Sequence, residues 1–266
     1  MRAVLALELS VGTPAPPVVR RRSRADGRAR RWDAGPAPTA RDLAALRFVG
    51  EQYAVRADVA TVLLTRLSTV GPERGSRLSR RAVREQLGRW ERAGWAERRR
   101  LLGNTWVTLT RAGLRLAGLD YEVWSPALDR LDHHHAVSVV RLAREQVPGA
   151  GGWVCERALW RRRGKAAWHL ADAALPAPVP AGWQGIDQAW ELVEVELTQK
   201  ARPRVVAALK TRPPHTARIT YYVPPKLHAA LSTLLASAVA ELGGRPEVHV
   251  EVLPCLAGLA VGGAAA

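Results

Sequence analysis

The sequence predicts an α/β chain, α+β overall, built in two parts: a helical module closed by a β-hairpin, then a mixed α/β unit. Three observations predict it. Between residues 40 and 119, apolar residues recur at helical spacing in three runs, and a pair of strand patterns around Gly103 then interrupts them. Beyond residue 125, one helical run precedes three successive apolar strand patterns, after which helix and strand alternate. With 266 residues, 47% of them apolar, the chain can bury a core and is not expected to be globally disordered.

Residues 1–39 read as a disordered basic arm, with Pro14, Pro16 and Pro17 leading into an arginine-rich tract from Arg20 to Arg31. The first helix is expected over Ala40 to Tyr53, with Leu43, Leu46, Val49 and Tyr53 near one face, and a second over Arg56 to Leu67. Gly71, Pro72 and Gly75 break the chain. Ser79 is placed to cap a third helix, Arg80 to Ala93, whose stripe of Val83, Leu87 and Trp90 turns inward and leaves Arg80, Arg81 and Arg84 outside it. A hairpin follows: Trp95 to Leu102, a Gly103-Asn104 turn, and Thr105 to Leu109, with Arg98, Arg99 and Arg100 on its first strand. Thr110 caps a closing helix, Arg111 to Leu119. This order, with Gly-Trp after the third helix and Leu-Thr-x-x-Gly at 109–113, is similar to that of winged helix-turn-helix proteins. It implies a DNA-binding domain over 40–124, with the third helix in the major groove and the hairpin on the backbone.

After a connector at 120–127, the pattern predicts a helix over Leu128 to Val147, stopped by Pro148 to Gly152, and a strand over Trp153 to Trp160. A basic loop, Arg161 to Lys165, leads to a strand over Ala167 to Leu175 and a Pro/Gly loop over 176–185. Then come strand Trp190 to Leu197, helix Ala201 to Thr211, strand Arg218 to Val223, helix Pro225 to Leu242 and strand Glu247 to Leu253. The second domain is drawn over 125–256, with a flexible tail at 257–266.

Charge narrows the function classes. Forty Lys+Arg against 24 Asp+Glu leave a net +16, and segments 1–39, 40–124 and 125–266 carry +5, +7 and +4. Such an excess points to a polyanion, with double-stranded DNA first, and it is densest ahead of the second domain. No apolar run reaches membrane-spanning length, no lipidation signal supports a membrane partner, and Glu8 breaks the only signal-like start. Two cysteines, Cys155 and Cys255, are too few for a disulfide framework and read as reduced thiols of a cytoplasmic protein. There is no Gly-rich phosphate loop to bind ATP.

The chemistry concentrates in carboxylates set in apolar strands. In Trp190-Glu-Leu-Val-Glu-Val-Glu-Leu197, Glu194 and Glu196 share one face; Lys200 follows, and the neighbouring strand carries Asp172. The three-strand order resembles the PD-(D/E)XK restriction-endonuclease-like core, αβββαβ. That resemblance implies Asp172 and Glu194 as ligands of Mg²⁺ or Mn²⁺, with Glu156 as a further ligand. Glu196 stands where the family has Lys, and Lys200 supplies an ammonium to the same space. Hard oxygen ligands suit those ions, which would activate water against a phosphodiester. The competing reading puts Glu194 and Glu196 on a solvent-facing edge strand, paired with Arg202 or Arg204, in a fold without catalysis.

Taken with His133-His-His-Ala-Val-Ser-Val-Val-Arg-Leu142, His169-Leu-Ala-Asp-Ala-Ala-Leu175 and Tyr221-Tyr-Val-Pro-Pro225, the whole resembles the replication-relaxation family of actinobacterial plasmids and integrative elements. This implies a DNA-binding protein of a mobile element, with replication or conjugation proteins and a second copy as candidate partners. Three consecutive histidines splay too far around a helix to chelate one ion. His135 reads as a hydrogen-bonded core residue, and His169, three residues before Asp172 in the expected strand, as facing away from it. Trp106 reads as a packing residue of the hairpin.

Overall fold

The computed structural model describes residues 37–68, 78–125, 127–145, 152–164, 166–183 and 186–260. Most of the basic arm, the break at 69–77, most of the Pro/Gly stop at 146–151, Lys165 and the last six residues lie outside them. The fold is mixed α/β, and residues 35–266 form one compact unit.

Helix α1 (Ala40–Glu51) starts at Thr39, whose side chain and Asp42 cap each other's backbone N–H groups. An unforeseen strand, β1 (Ala54–Arg56), follows Tyr53, which takes a positive φ of 66°. Helices α2 (Ala57–Arg66) and α3 (Arg80–Arg92) come next, and Ser79 Oγ accepts from Ala82 N to cap α3. Strands β2 (Ala96–Leu101) and β3 (Asn104–Leu109) complete a sheet in the order β1-β3-β2. The tight turn centres on Leu102-Gly103 rather than Gly103-Asn104: both have positive φ, as a two-residue hairpin turn of this twist demands. Helix α4 (Arg111–Leu116) is capped by Thr110 and ends three residues earlier than expected, at Gly118 with φ 69°. Gly113 is required on space: a Cβ there would stand 1.9 Å from the Trp95 carbonyl oxygen, which itself accepts from Thr110 N.

In the second part, a short 3₁₀ turn (Leu128–Arg130) leads into α5 (Leu131–Arg144), shorter than the expected helix. The strand expected over 153–160 is a correction. Only β4 (Val154–Cys155) is extended, and Glu156 opens α6 (Glu156–Arg163). Glu-Arg-Ala-Leu are strong helix formers, and an acid in the first turn favours a helix start. The strand expected from Ala167 begins only at β5 (Ala173–Ala177), so Asp172 stands just before it. Strand β6 (Ala189–Val195), helix α7 (Arg202–Lys210), β7 (Thr216–Val223), α8 (Pro225–Glu241) and β8 (Glu247–Val252) follow. The five-stranded sheet runs β4-β5-β6-β7-β8, antiparallel up to β6 and parallel from there. The tail is ordered for one turn: α9 (Leu256–Ala260) lays Leu256 and Leu259 on the first core.

Helix α5 joins the two parts. Val139 and Leu142 enter the core of α1–α4, while Ala136, Val137 and Val140 enter that of the five-stranded sheet. Arginines rivet the seam. Buried Arg141 bonds Glu51 of α1 at 2.7 Å and Glu145 at 2.9 Å and lies over the Phe48 ring at 4.4 Å. Arg157 of α6 donates to the Gly50 carbonyl at 2.8 Å and lies over the rings of Tyr53 and Tyr121.

Candidate active-site cluster and candidate nucleic-acid face

Asp172 is held from two sides at the start of β5. Its Oδ2 accepts from Val195 N of β6 at 2.7 Å, and its Oδ1 pairs with His133 Nε2 of α5 at 2.8 Å. Its own carbonyl accepts from Glu156 N, which ties the start of α6 to the same spot. Glu194, buried on β6, pairs through Oε1 with His169 Nε2 at 2.7 Å. Glu196, just past the strand, forms an ion pair with Lys200, four residues on, in the loop ahead of α7. Glu156 sits in the first turn of α6, 3.7 Å from Arg130 and hydrogen-bonded to Tyr53.

The Asp172 charge reaches Glu194, Glu156 and Lys200. Burial pushes the Glu194 carboxyl up, and the Asp172 charge adds to the rise against the pull of His169. Burial likewise raises Glu156, and Asp172 again adds to it. Burial works against the Lys200 ammonium, but Glu196, Glu194 and Asp172 outweigh it and raise its pKa. Tyr221, beside Glu194 on β7, is raised by burial and then by the same acids.

Two members of the cluster are corrections. His169 faces Glu194, because residues 169–172 precede the strand and the two-residue alternation assumed for them does not apply. In the histidine run, His134 is the buried one. It packs against Trp124 and Tyr53, and burial, then His133, pushes its pKa down to about 3. His135 is only half-buried, 4.0 Å from Asp58, and its Nδ1 has no hydrogen-bond partner. Glu194 and Glu196 are buried, and neither pairs with Arg202 or Arg204; Arg202 pairs with Glu241 instead. On the opposite face of β6, Glu191 binds Arg144, Arg218 and Thr220, a buried network that the sequence reading passed over.

Asp172, Glu194 and Glu196 each face one basic side chain, His133, His169 and Lys200. Among the described residues, no three His, Cys, Asp or Glu side chains gather round one point as metal ligands do. As arranged, then, the donors do not fit a divalent cation, since each carboxylate already spends an oxygen on a base.

The pairing has a consequence for stability. Burial disfavours protonated His133 and His169, but Asp172 and Glu194 outweigh it and raise both pKa values above the ordinary 6.5. Arg130 and Glu156 also face His133, and Lys200 and Asp172 also face His169. A raised folded-state pKa gives stability in full below the unfolded value, and that stability is lost as pH rises through the folded value. His134 and His135, whose pKa values are lowered, work the other way, so the pairing is read by difference: the advantage of wild type over His133→Gln in urea midpoint is expected to be fully present below about pH 6.5 and to shrink as the pH rises above it. An advantage that does not shrink would contradict the pairing.

The second candidate surface is α3 with the hairpin. Val83, Leu87 and Trp90 are buried, and Arg80, Arg81 and Arg84 are exposed, as the helical spacing requires. Arg98, Arg99 and Arg100 are exposed on β2. Arg98 joins the hairpin to α3 through Glu91, whose carboxylate oxygens accept from the Arg98 Nε at 2.6 Å and from its backbone N–H at 2.9 Å. Arg81 pairs with Glu85 and Arg99 with Glu97. Arg80, Arg84 and Arg100 have no carboxylate partner among the described residues. Arg80, Arg84 and Arg98 border a cleft of about 560 Å³ between α2, α3 and the hairpin. Trp106 is buried, packed with Ala54 and Leu131.

Compared with protein-family models, curated proteins and solved structures, the chain matched none. No described helix is long and apolar enough to cross a membrane.

Proposed function

We propose that the protein binds double-stranded DNA through α3 and the β2-β3 hairpin, in the manner of a winged helix. The observation that carries the reading is the row of exposed arginines on the outer face of α3, continued on β2, over a fully packed inner face. The order α1-β1-α2-α3-β2-β3, with the small sheet ordered β1-β3-β2, supports it. Arg80, Arg84 and Arg100 are available to phosphates at once. The exposed pairs of Arg81 and Arg99 are weak enough for a phosphate to displace. Each phosphate neutralised releases counterions, so binding weakens with salt. Arg80→Ala with Arg84→Ala is expected to weaken duplex binding for all sequences alike and to lower the log K against log salt slope by about 2. An unchanged slope would remove α3 from the interface.

A second reading, a phosphodiesterase with a PD-(D/E)XK-like site, has one observation in its favour: the Asp172 charge reaches Glu194, Glu156 and Lys200 and helps raise the pKa of each. The present pairing does not fit the cation such chemistry needs, and no hydrolytic step is derived from it. Asp172 ties α5 to β6 through His133 and Val195 N, and this structural role favours a DNA-binding accessory of replication or maintenance over a nuclease. Plasmid nicking with Mg²⁺ or Mn²⁺, lost in both Asp172→Ala and Glu194→Ala, would reverse that preference.

A further inference from the structure

Trp160 of α6 is 62% exposed, unusual for the largest apolar side chain. It stands on the only stretch of the described second part with three consecutive arginines, Arg161 to Arg163. The Arg163 guanidinium lies 5.6 Å from the Trp160 ring centroid, on the face a cation prefers. Arg161 is exposed and pairs with the exposed Asp120 at 2.8 Å, while exposed Arg162 has no carboxylate partner among the described residues. Trp160 follows Glu156 by four residues, so it lies about 6 Å along the helix from the acidic cluster and on nearly the same side.

We infer that α6 is a stacking platform for an unpaired DNA base, with Trp160 taking the base and Arg163, one turn on and beside the ring, the adjoining phosphate. The inference rests on the duplex-binding reading above and extends it to a second contact. An exposed aromatic ring beside a guanidinium group with no carboxylate partner among the described residues is the chemistry that holds single strands without regard to sequence. A base inside a duplex offers no free face, so the platform selects melted or flanking single-stranded DNA. Paired with duplex binding by α3 and the hairpin, it fits a junction between duplex and unpaired strand.

The test compares full-length wild type with Trp160→Ala, Trp160→Phe and Arg163→Ala, by fluorescence anisotropy on a blunt duplex and on the same duplex with a central unpaired bubble. Trp160→Ala is expected to weaken bubble binding by roughly tenfold and to leave blunt-duplex binding unchanged. Trp160→Phe should keep most of the bubble preference, and Arg163→Ala should weaken bubble binding with a shallower salt slope. Equal losses on both DNAs, or none on either, would overturn the platform while leaving duplex binding intact. Tighter binding to single-stranded RNA than to the bubble would overturn the assignment to DNA. Failure of the wild type to bind the blunt duplex would sink the duplex-binding reading itself, and the platform with it.

Discussion

Replacing Asp42 by alanine is expected to cost about 3–5 kcal/mol of folding stability, the largest loss at any position of the first module. Asp42 is fully buried, and its carboxylate is the hub that fixes α3 to α1. It accepts from Gln86 Nε2 at 2.6 Å, Trp90 Nε1 at 2.9 Å and the Arg89 guanidinium at 2.6 Å, and it closes the α1 capping box with Thr39. Alanine would leave an arginine, an indole N–H and an amide without their acceptor at the root of the helix that carries Arg80 and Arg84. Burial alone would raise its pKa, but the bonds from Trp90, Thr39 and Arg89 outweigh burial and hold it below 3.8. Its contribution is therefore present above the unfolded-state value and is lost as the pH falls through the lower folded-state value. Asp42→Asn keeps the shape and one acceptor and should lose less, about 1–3 kcal/mol. Urea unfolding measures both; a wild-type-like midpoint for Asp42→Ala would show that the hub does not hold α3.

A loss of similar size, about 3–5 kcal/mol, is expected for Arg141→Met at the seam between the two parts. The guanidinium is 2% exposed, sits between Glu51 and Glu145 and stacks on Phe48. Methionine fills much of the volume, so the damage comes from two buried carboxylates that lose the Arg141 guanidinium, Glu51 keeping its outer pair with Arg47. That attribution is separable from packing. Adding Glu51→Gln and Glu145→Gln to Arg141→Met should recover part of the loss, because neutral amides cost less to bury than carboxylates. No recovery would assign the loss to packing instead.

The helices were legible wherever the apolar spacing was long: α1, α2, α3, α7 and α8 fall within a few residues of the expected runs. The strand carboxylates stood out in the sequence because a charged group in an apolar strand needs a partner, and Glu194 and Glu196 find theirs in His169 and Lys200. Three things were not legible. The stretch 153–160 is too short to separate strand from helix, and reading it as strand gave no sign that α6 leaves Trp160 in solvent. The partnership of His169 with Glu194 was lost to a parity argument applied before the strand had begun. The seam arginines carry no sequence signal, since Arg141 and Arg157 look like any others in an arginine-rich chain until packing brings Glu51 and Gly50 to them.

The account turns on where a duplex touches the protein. Backbone hydrogen exchange, measured with and without saturating blunt duplex DNA, reads this directly. Slowed exchange is expected in the first turns of α3 and across the β2-β3 turn, with β6 and β7 unchanged. Protection confined to the five-stranded sheet, with α3 and the hairpin exchanging as in the free protein, would contradict it.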